Sequence, residues 1–184
     1  SAASDVYKRQ DPANGRSSQV IVFFHGGGYT MGSANDHMQL IASLVELSGT
    51  TVLAVDYRLF PEVRFPAPLD DAEGAYRWLL EQGITASCIG LAGISAGAAL
   101  VTQLVHRCKV KALGCPALAL VMSGLNDFRF NRPSMAFNSG LDLVSLERLE
   151  AIRRFYFSDQ QSFESDDVLC IDQIYEHYPT TLFQ

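Results

Sequence analysis

A serine stands between two glycines in the pattern Gly93-x-Ser95-x-Gly97, where a strand-like run meets a helix-like run. The apolar residues 88–92 precede the pattern, and the helix-forming residues 98–105 follow it. A tight turn between a strand and a helix forces the serine into a strained backbone conformation and exposes its hydroxyl. The turn also crowds the positions two before and two after the serine, which favours glycine at both. The pattern therefore predicts that Ser95 is a catalytic nucleophile.

Three consecutive glycines, Gly26 to Gly28, follow His25 directly after the apolar residues 19–24. Glycines leave their backbone N–H groups unshielded, so that a ligand oxygen can approach them closely. Together with the amide of Ala96, these amides can hold the oxyanion of a tetrahedral acyl intermediate. The helix that begins behind Ser95 directs its positive end at the same developing charge. The two patterns together predict acyl transfer.

Four short motifs follow one another between residues 25 and 97. They are His25-Gly26-Gly27-Gly28, Asp56-Tyr57-Arg58-Leu59-Phe60-Pro61-Glu62, Phe65-Pro66-Ala67 and Gly93-Ile94-Ser95-Ala96-Gly97. In this order they resemble the hormone-sensitive-lipase-like branch (family IV) of the α/β-hydrolases. The resemblance covers roughly residues 19–127 and continues more weakly to Gln184. Members usually carry Gly-Asp-Ser-Ala-Gly-Gly at the turn. Here Ile94 and Ala98 differ, and neither difference touches the nucleophile or the oxyanion amide.

The resemblance implies a serine carboxylesterase that cleaves uncharged esters with short acyl chains through an acyl-Ser95 intermediate. It favours Gly27 and Gly28 over Gly26 as the partners of Ala96 in the oxyanion hole. No metal and no organic cofactor are expected, and the partner is a small-molecule ester. Two alternatives stay open: an amide-hydrolysing enzyme of the same fold, and a small-molecule receptor that keeps the serine but lacks the catalytic histidine, as some plant hormone receptors do.

The elements that must position these motifs follow an α/β order. Continuous apolar runs at residues 19–24, 50–55, 88–92 and 117–122 predict strands of a mostly parallel sheet. Helical patterns at about 35–47, 69–82 and 98–105 lie between them, so the sequence predicts three layers, with helices on both faces. The site is expected at the carboxyl ends of the strands. Residues 180–183 begin like a further strand, which predicts a fold that is incomplete at the C-terminus.

An amphipathic helix is predicted over residues 141–157, inside a segment, 133–159, that departs from the strand–helix rhythm. It is either part of a cap over the site or an ordinary crossover helix. A short helical piece is expected at residues 171–175.

The general base and the acid that Ser95 needs have no clear place in the chain. In this fold the order is serine, acid, histidine. His25 precedes Ser95 and is interpreted as stabilising the segment of Gly26 to Gly28, called the glycine loop from here on. His37 and His106 fall on predicted helices and are expected at the surface. Only His177 follows the serine.

The turn around Ser95 is called the elbow from here on. Asp127 follows the next strand after the elbow, a position where some hydrolases place the acid. A Ser95–Asp127–His177 triad is one reading. The other places the acid and base beyond Gln184 and gives Asp127 a structural role, as the resemblance suggests. Asp56 and Arg58 are interpreted as ion partners that fix a loop.

A dinucleotide site is the rival enzyme reading of the glycine loop. Gly26-x-Gly28-x-x-x-Gly32 follows a strand, and Asp56 ends the next one. Such reductases need a Tyr-x-x-x-Lys pair, which this sequence lacks, and the elbow at Ser95 would have no explanation.

Composition bounds the remaining possibilities. The chain has 184 residues, of which 48% are hydrophobic and 18% charged, typical of one globular domain. Its net charge of −6 gives no reason to expect nucleic acid or an anionic membrane as a partner, and no apolar run is long enough to span a membrane. The four cysteines show no metal-binding spacing, which favours thiols in a reducing compartment, the cytoplasm, over a disulfide framework.

The two ends of the chain carry separate expectations. Residues 1–10 resemble a non-native tail that should pack poorly, which leaves residues 11–184 as a partial hydrolase core. A fragment that lacks its acid and base is expected to show no turnover on its own.

Overall fold

A six-stranded sheet forms the centre of the computed structural model, which describes residues 7–13, 15, 17–138, 140–142, 144–159, 163–168 and 178–184. The strands are β1 (Tyr7–Gln10), β2 (Val20–Phe24), β3 (Thr51–Val55), β4 (Ile89–Ile94), β5 (Leu118–Met122) and β6 (Thr180–Phe183). They lie in the order β1-β3-β2-β4-β5-β6. Neighbouring strands are parallel except for β1, which runs antiparallel to β3. The predicted mostly parallel sheet is confirmed.

Helices connect the strands much as the periodicity predicted. They are α1 (Met38–Ser48), preceded by a 3-10 turn (Ala34–His37), α2 (Ala67–Glu81), α3 (Ala96–Val110), α4 (Pro133–Asn138) and α5 (Leu146–Tyr156), with a short 3-10 turn (Ala86–Cys88) before β4. Helix α1 ends at Gly49, whose φ of 62° is left-handed and suits glycine.

The two faces of the sheet are covered by different helices. Along β2, Val22 and Phe24 pack with residues of α2 and α3, whereas Ile21 and Phe23 pack with residues of α1. Successive side chains of a strand point to opposite faces, so this division shows helices on both sides. The predicted three-layer α/β arrangement is confirmed.

Helix α3 is the most deeply enclosed helix among the described residues. Every residue from Ala96 to Cys108 is buried. The helix lies on β2, β4 and β5 and packs sideways against α2. It carries no exposed polar face over this length, which explains why the sequence pattern predicted only residues 98–105 as helical. The nucleophile candidate therefore sits at the start of the most buried helix.

Residues 7–10 contradict the expectation of a poorly packed tail. They pair with β3 from Tyr7 opposite Val55 to Gln10 opposite Val52. The Tyr7 ring also stacks on Trp78, with 5.9 Å between the ring centroids. An edge strand needs little more than free backbone groups on its neighbour. The polar sequence therefore carried no strand pattern.

The predicted helix over residues 141–157 is shorter than expected. Helix α5 begins at Leu146, because the Ser145 side chain accepts a hydrogen bond from the Arg148 amide and caps the first turn. Pro133–Asn138 form the separate short helix α4, which the sequence pattern did not predict.

Several sequence predictions fall outside the described residues, namely the short helix at 171–175, Cys170 and His177. The three described cysteines, Cys88, Cys108 and Cys115, are thiols rather than halves of disulfides, as predicted. Among the described residues no helix combines the length and the apolar character that a membrane crossing requires.

A buried arginine joins α2 and α3 to residues 163–168. The Arg107 side chain is 8% exposed, and its guanidinium donates to Asp70 at 2.6 Å, to Glu73 at 3.2 Å and to Asp167 at 2.9 Å. A buried charge must be paired in this way, because the desolvation cost is otherwise severe. Arg107 thus ties a segment distant in sequence to the two helices beside the core.

Glu73 is the carboxylate at the centre of this network. Burial alone would raise the pKa of Glu73, but hydrogen bonds from Lys111 and Arg77 and the charge of Arg107 hold that pKa below its usual value. A depressed carboxylate pKa adds stability above the unfolded-state pKa, and this contribution disappears as the pH falls through the folded-state pKa. The network should therefore weaken in acid.

Replacing Arg107 with methionine should lower the free energy of unfolding by about 3 kcal/mol, because Asp167 and Glu73 lose a buried partner. The matched control is Arg58→Met. Arg58 pairs with Asp71 at 2.8 Å, but its side chain is 55% exposed, so its loss should cost at most about 1 kcal/mol. Urea denaturation of both variants measures the difference. Equal losses would show that burial of the Arg107 pairings adds nothing.

Candidate active site

Ser95 occupies a strained turn between β4 and α3. Its φ is 54° and its ψ is −118°, a conformation that L-residues rarely adopt. The Ser95 amide donates to the Met122 carbonyl at the end of β5, at 2.9 Å, and the Ser95 carbonyl accepts from Ala98 and Ala99 in the first turn of α3. The side chain is half-buried at the carboxyl end of the sheet. The predicted strand–turn–helix elbow is confirmed.

The two glycines around Ser95 are required by close backbone contacts. A methyl group at Gly97 would collide with the carbonyl oxygens of Phe24 and His25, at the end of β2. One at Gly93 would collide with the carbonyl of Gly97. Backbone atoms of a central strand and a buried helix have no room to move, so no larger residue fits at either position.

The first two carbonyl groups of the glycine loop after β2, those of Gly26 and Gly27, accept hydrogen bonds. His25 Nδ1 donates to the Gly26 carbonyl at 2.7 Å. The Gly27 carbonyl accepts from the amides of Thr30 and Met31, each at 3.2 Å. In a trans peptide the N–H points away from the preceding C=O. The Gly27 amide therefore points away from the partner of the Gly26 carbonyl, and the Gly28 amide points away from the partners of the Gly27 carbonyl.

The loop also lies against the elbow. A methyl group on Gly26 would stand 3.3 Å from Ser95 Cβ and 3.2 Å from the Ile94 carbonyl oxygen. Within the described part of the chain, the amides of Gly27, Gly28 and Ala96 donate no backbone hydrogen bond. The three donors predicted from the sequence thus belong to two segments that touch beside Ser95, and their convergence on one oxyanion stays a prediction.

His25 supports this loop and is not placed to act as the base of Ser95. It is 1% exposed and stacks on Tyr57, with 4.2 Å between the ring centroids. Burial lowers the pKa of His25, and Nδ1 carries a proton because it donates to the Gly26 carbonyl. Its Nε2 has no hydrogen-bond partner among the described residues. This geometry agrees with the loop-stabilising role read from the sequence.

The expectation that His106 lies at the surface is wrong, whereas His37 is partly exposed. His106 is 8% exposed, because α3 is enclosed on nearly every side. His37 is half-buried, and its ring lies 6.2 Å from that of His25. None of the three described histidines hydrogen bonds to Ser95, and His177 lies outside the described residues.

The Asp127 carboxylate is paired with the neighbouring Arg129. The Arg129 side chain contacts both carboxylate oxygens, at 2.8 and 2.7 Å, and the Arg129 amide adds a third hydrogen bond at 3.0 Å. Hydrogen bonds from Arg129 hold the pKa of Asp127 below its usual value. This pairing favours the structural reading of Asp127 over the catalytic one.

Asp56 and Arg58 fix loops, as interpreted, but not through each other. Asp56 accepts from the Ala34 amide at 2.6 Å and lies 3.6 Å from Lys8. Arg58 forms a two-pronged ion pair with Asp71 on α2.

The sequence did not reveal the role of Ile152 on α5. A methyl group on Gly28 would lie 2.9 Å from Ile152 Cδ1, so this side chain covers the third glycine of the loop. The sequence places Ile152 only within the amphipathic helix predicted over residues 141–157. Only the tertiary packing of α5 identifies the glycine loop as its neighbour.

With this geometry in view, the family is clear. Residues 21–182 match the family described as alpha/beta hydrolase fold, and the chain belongs to that family. The resemblance to its hormone-sensitive-lipase-like, family IV branch is confirmed by curated relatives and solved structures.

Two curated relatives are esterases by name. An ethyl acetate hydrolase of Pseudomonas putida is 36% identical over 148 residues, which make up 77% of this chain and 46% of that protein. An esterase of Acinetobacter venetianus is 34% identical over 148 residues, 80% of this chain and 49% of that protein. The chain therefore spans about half the length of the curated relatives it matches.

Solved structures of similar proteins superimpose closely. A hormone-sensitive lipase from a metagenome library is 32% identical and gives a TM-score of 0.87, over 95% of this chain and 59% of that one. An esterase from the archaeon Pyrobaculum calidifontis is 27% identical, with a TM-score of 0.89 over 96% of this chain and 60% of that one.

Proposed function

We propose that the protein containing this chain hydrolyses uncharged carboxylic esters with short acyl chains through an acyl-Ser95 intermediate. The observation that carries the proposal is the contact between the glycine loop and the strained elbow at Ser95. The similarity to an ethyl acetate hydrolase supports an ester with a small acyl group.

The reaction follows from the roles of these groups. Ser95 Oγ attacks the ester carbonyl carbon while a general base takes its proton, and the carbonyl oxygen becomes an oxyanion. The amides of Gly27, Gly28 and Ala96 donate to that oxyanion. The tetrahedral intermediate expels the alcohol, which receives the proton from the base, and leaves the acyl group on Ser95. Water then repeats the sequence and releases the carboxylic acid. In this proposal the base and its acid partner lie outside the described residues.

The first test is an ester series measured on the protein expressed from the open reading frame that contains these residues. We expect cleavage of p-nitrophenyl esters between acetate and octanoate, with kcat/KM falling for the longer chains. The matching p-nitroanilides should be cleaved far more slowly. Cleavage of the anilides but not the esters would point instead to an amide hydrolase.

Labelling with a fluorophosphonate separates the enzyme from a receptor on the same fold. The reagent modifies only a serine that a base has activated. We expect stoichiometric labelling at Ser95. A well-folded protein that resists labelling and cleaves no ester would support the receptor alternative.

A further inference from the structure

Ile152 presents an apolar wall to the glycine loop. Its Cδ1 and Cγ1 atoms would stand 2.9 and 3.2 Å from a methyl group on Gly28, so nothing lies between the side chain and the loop at this point. Ile152 is partly buried and packs against the main core cluster. Ile152 therefore keeps an exposed part of its surface at the position where it touches the loop.

The position of this wall is fixed by contacts at the end of α5. The Phe65 amide donates to the Tyr156 carbonyl at 2.8 Å, and Arg64 donates to the Phe155 carbonyl at 2.8 Å. The Tyr156 ring stacks on Tyr29, the residue after Gly28, with 3.6 Å between centroids. Both tyrosines are buried. The glycine loop and α5 are thus clamped together one helical turn from Ile152.

We propose that Ile152 is a specificity-determining residue, which limits the length of the alkyl group that an ester can place beside the glycine loop. The proposal rests on the proposed function, because it takes Gly28 as a donor to the oxyanion. A carbonyl bound there places a substituent within reach of the neighbouring side chain. That side chain is branched, uncharged and held in place, so it accepts a short hydrocarbon and excludes a longer one.

The experiment compares Ile152→Ala and Ile152→Val with Leu149→Ala. Leu149 lies three residues earlier on α5 and lines a groove with Ser134 and Met135 of α4. In one arm the acyl chain varies from p-nitrophenyl acetate to octanoate. In the other the alcohol varies from methyl to octyl acetate. In one of the two arms, we expect Ile152→Ala to raise kcat/KM for the eight-carbon substrate about tenfold relative to that for the shortest substrate. Ile152→Val should give an intermediate ratio.

The substrate series in which the kcat/KM ratio changes shows whether the acyl or the alcohol group lies against Ile152. An unchanged ratio in both arms, or an equal shift in Leu149→Ala, overturns the proposal. The valine variant removes a single methyl group. If the alanine variant does not fold, the kcat/KM ratio of the valine variant can still be compared with that of the parent protein.

A binding measurement separates this inference from the proposed function. Calorimetry with octanoate and 1-octanol requires no turnover, and Ile152→Ala should bind one of them about tenfold more tightly than the parent protein. If no ester is cleaved but this gain appears, the proposed function fails and the role of Ile152 stands. If esters are cleaved and neither ligand gains affinity, the role of Ile152 fails and the proposed function stands.

Discussion

Replacing Ser95 with alanine is expected to reduce kcat for p-nitrophenyl acetate by about 10⁴- to 10⁶-fold. The substitution removes the atom that forms the acyl bond but leaves the backbone donors in place. Because the oxyanion hole alone still retains some catalysis, a small residual rate above that of water is expected. Steady-state kinetics on the protein expressed from the complete open reading frame measures both the loss of kcat and the residual rate.

Ser43→Ala is the matched control for this experiment. Ser43 lies exposed on α1, on the opposite face of the sheet from α3, and its loss should change kcat less than twofold. Circular dichroism must show the same fold in both variants. A Ser95→Ala protein that keeps more than about a tenth of the parent rate would rule out the acyl-Ser95 intermediate, since nucleophile removal has far larger effects.

Replacing Gly97 with alanine is expected to lower the free energy of unfolding by at least about 3 kcal/mol. The added methyl group would collide with the carbonyl oxygens of Phe24 and His25, which belong to the backbone at the end of a central strand. Relief requires that α3 move away from β2, which also moves Ser95 away from the glycine loop. Ester hydrolysis should therefore fall together with stability.

Gly74→Ala provides the control, because it makes the same chemical change where there is space. Gly74 lies exposed on α2, and a methyl group there would meet nothing within 4 Å. Alanine is the better helix former, so this variant should gain about 0.5–1 kcal/mol. Urea denaturation of the two variants should give shifts of opposite sign. A neutral Gly97→Ala would mean that the elbow tolerates a side chain and that the contact with β2 is not a constraint.

The parts of this fold that were predictable are those in which burial alone determines the sequence. The central strands β2, β3 and β4 are enclosed on both faces, so their continuous apolar runs located them to within one or two residues. The elbow was predictable for a related reason, since the crowding around Ser95 leaves glycine as the only choice at two positions.

The elements that were missed depend on contacts that leave no periodic pattern. The strand at Tyr7–Gln10 is held by backbone pairing with β3 and by one ring stack on Trp78. The burial of His106 follows from the enclosure of α3, whereas a helical pattern predicts one solvent-facing side. Ile152 reaches the glycine loop only because Arg64 and Phe65 hold the end of α5 in place.

The enclosure of α3 has a consequence for how the protein opens. Amide protons from Leu100 to Cys108 lie inside the helix and under its cover, so they should exchange only when the sheet comes apart and be among the slowest in hydrogen exchange. Helix α5 has a single buried residue, Tyr156, and should exchange through local opening at a much lower free energy. On warming, the wall that we propose at Ile152 should therefore loosen before the packing around Ser95 does. The proposed discrimination between ester chain lengths should then fade at a lower temperature than the proposed hydrolysis.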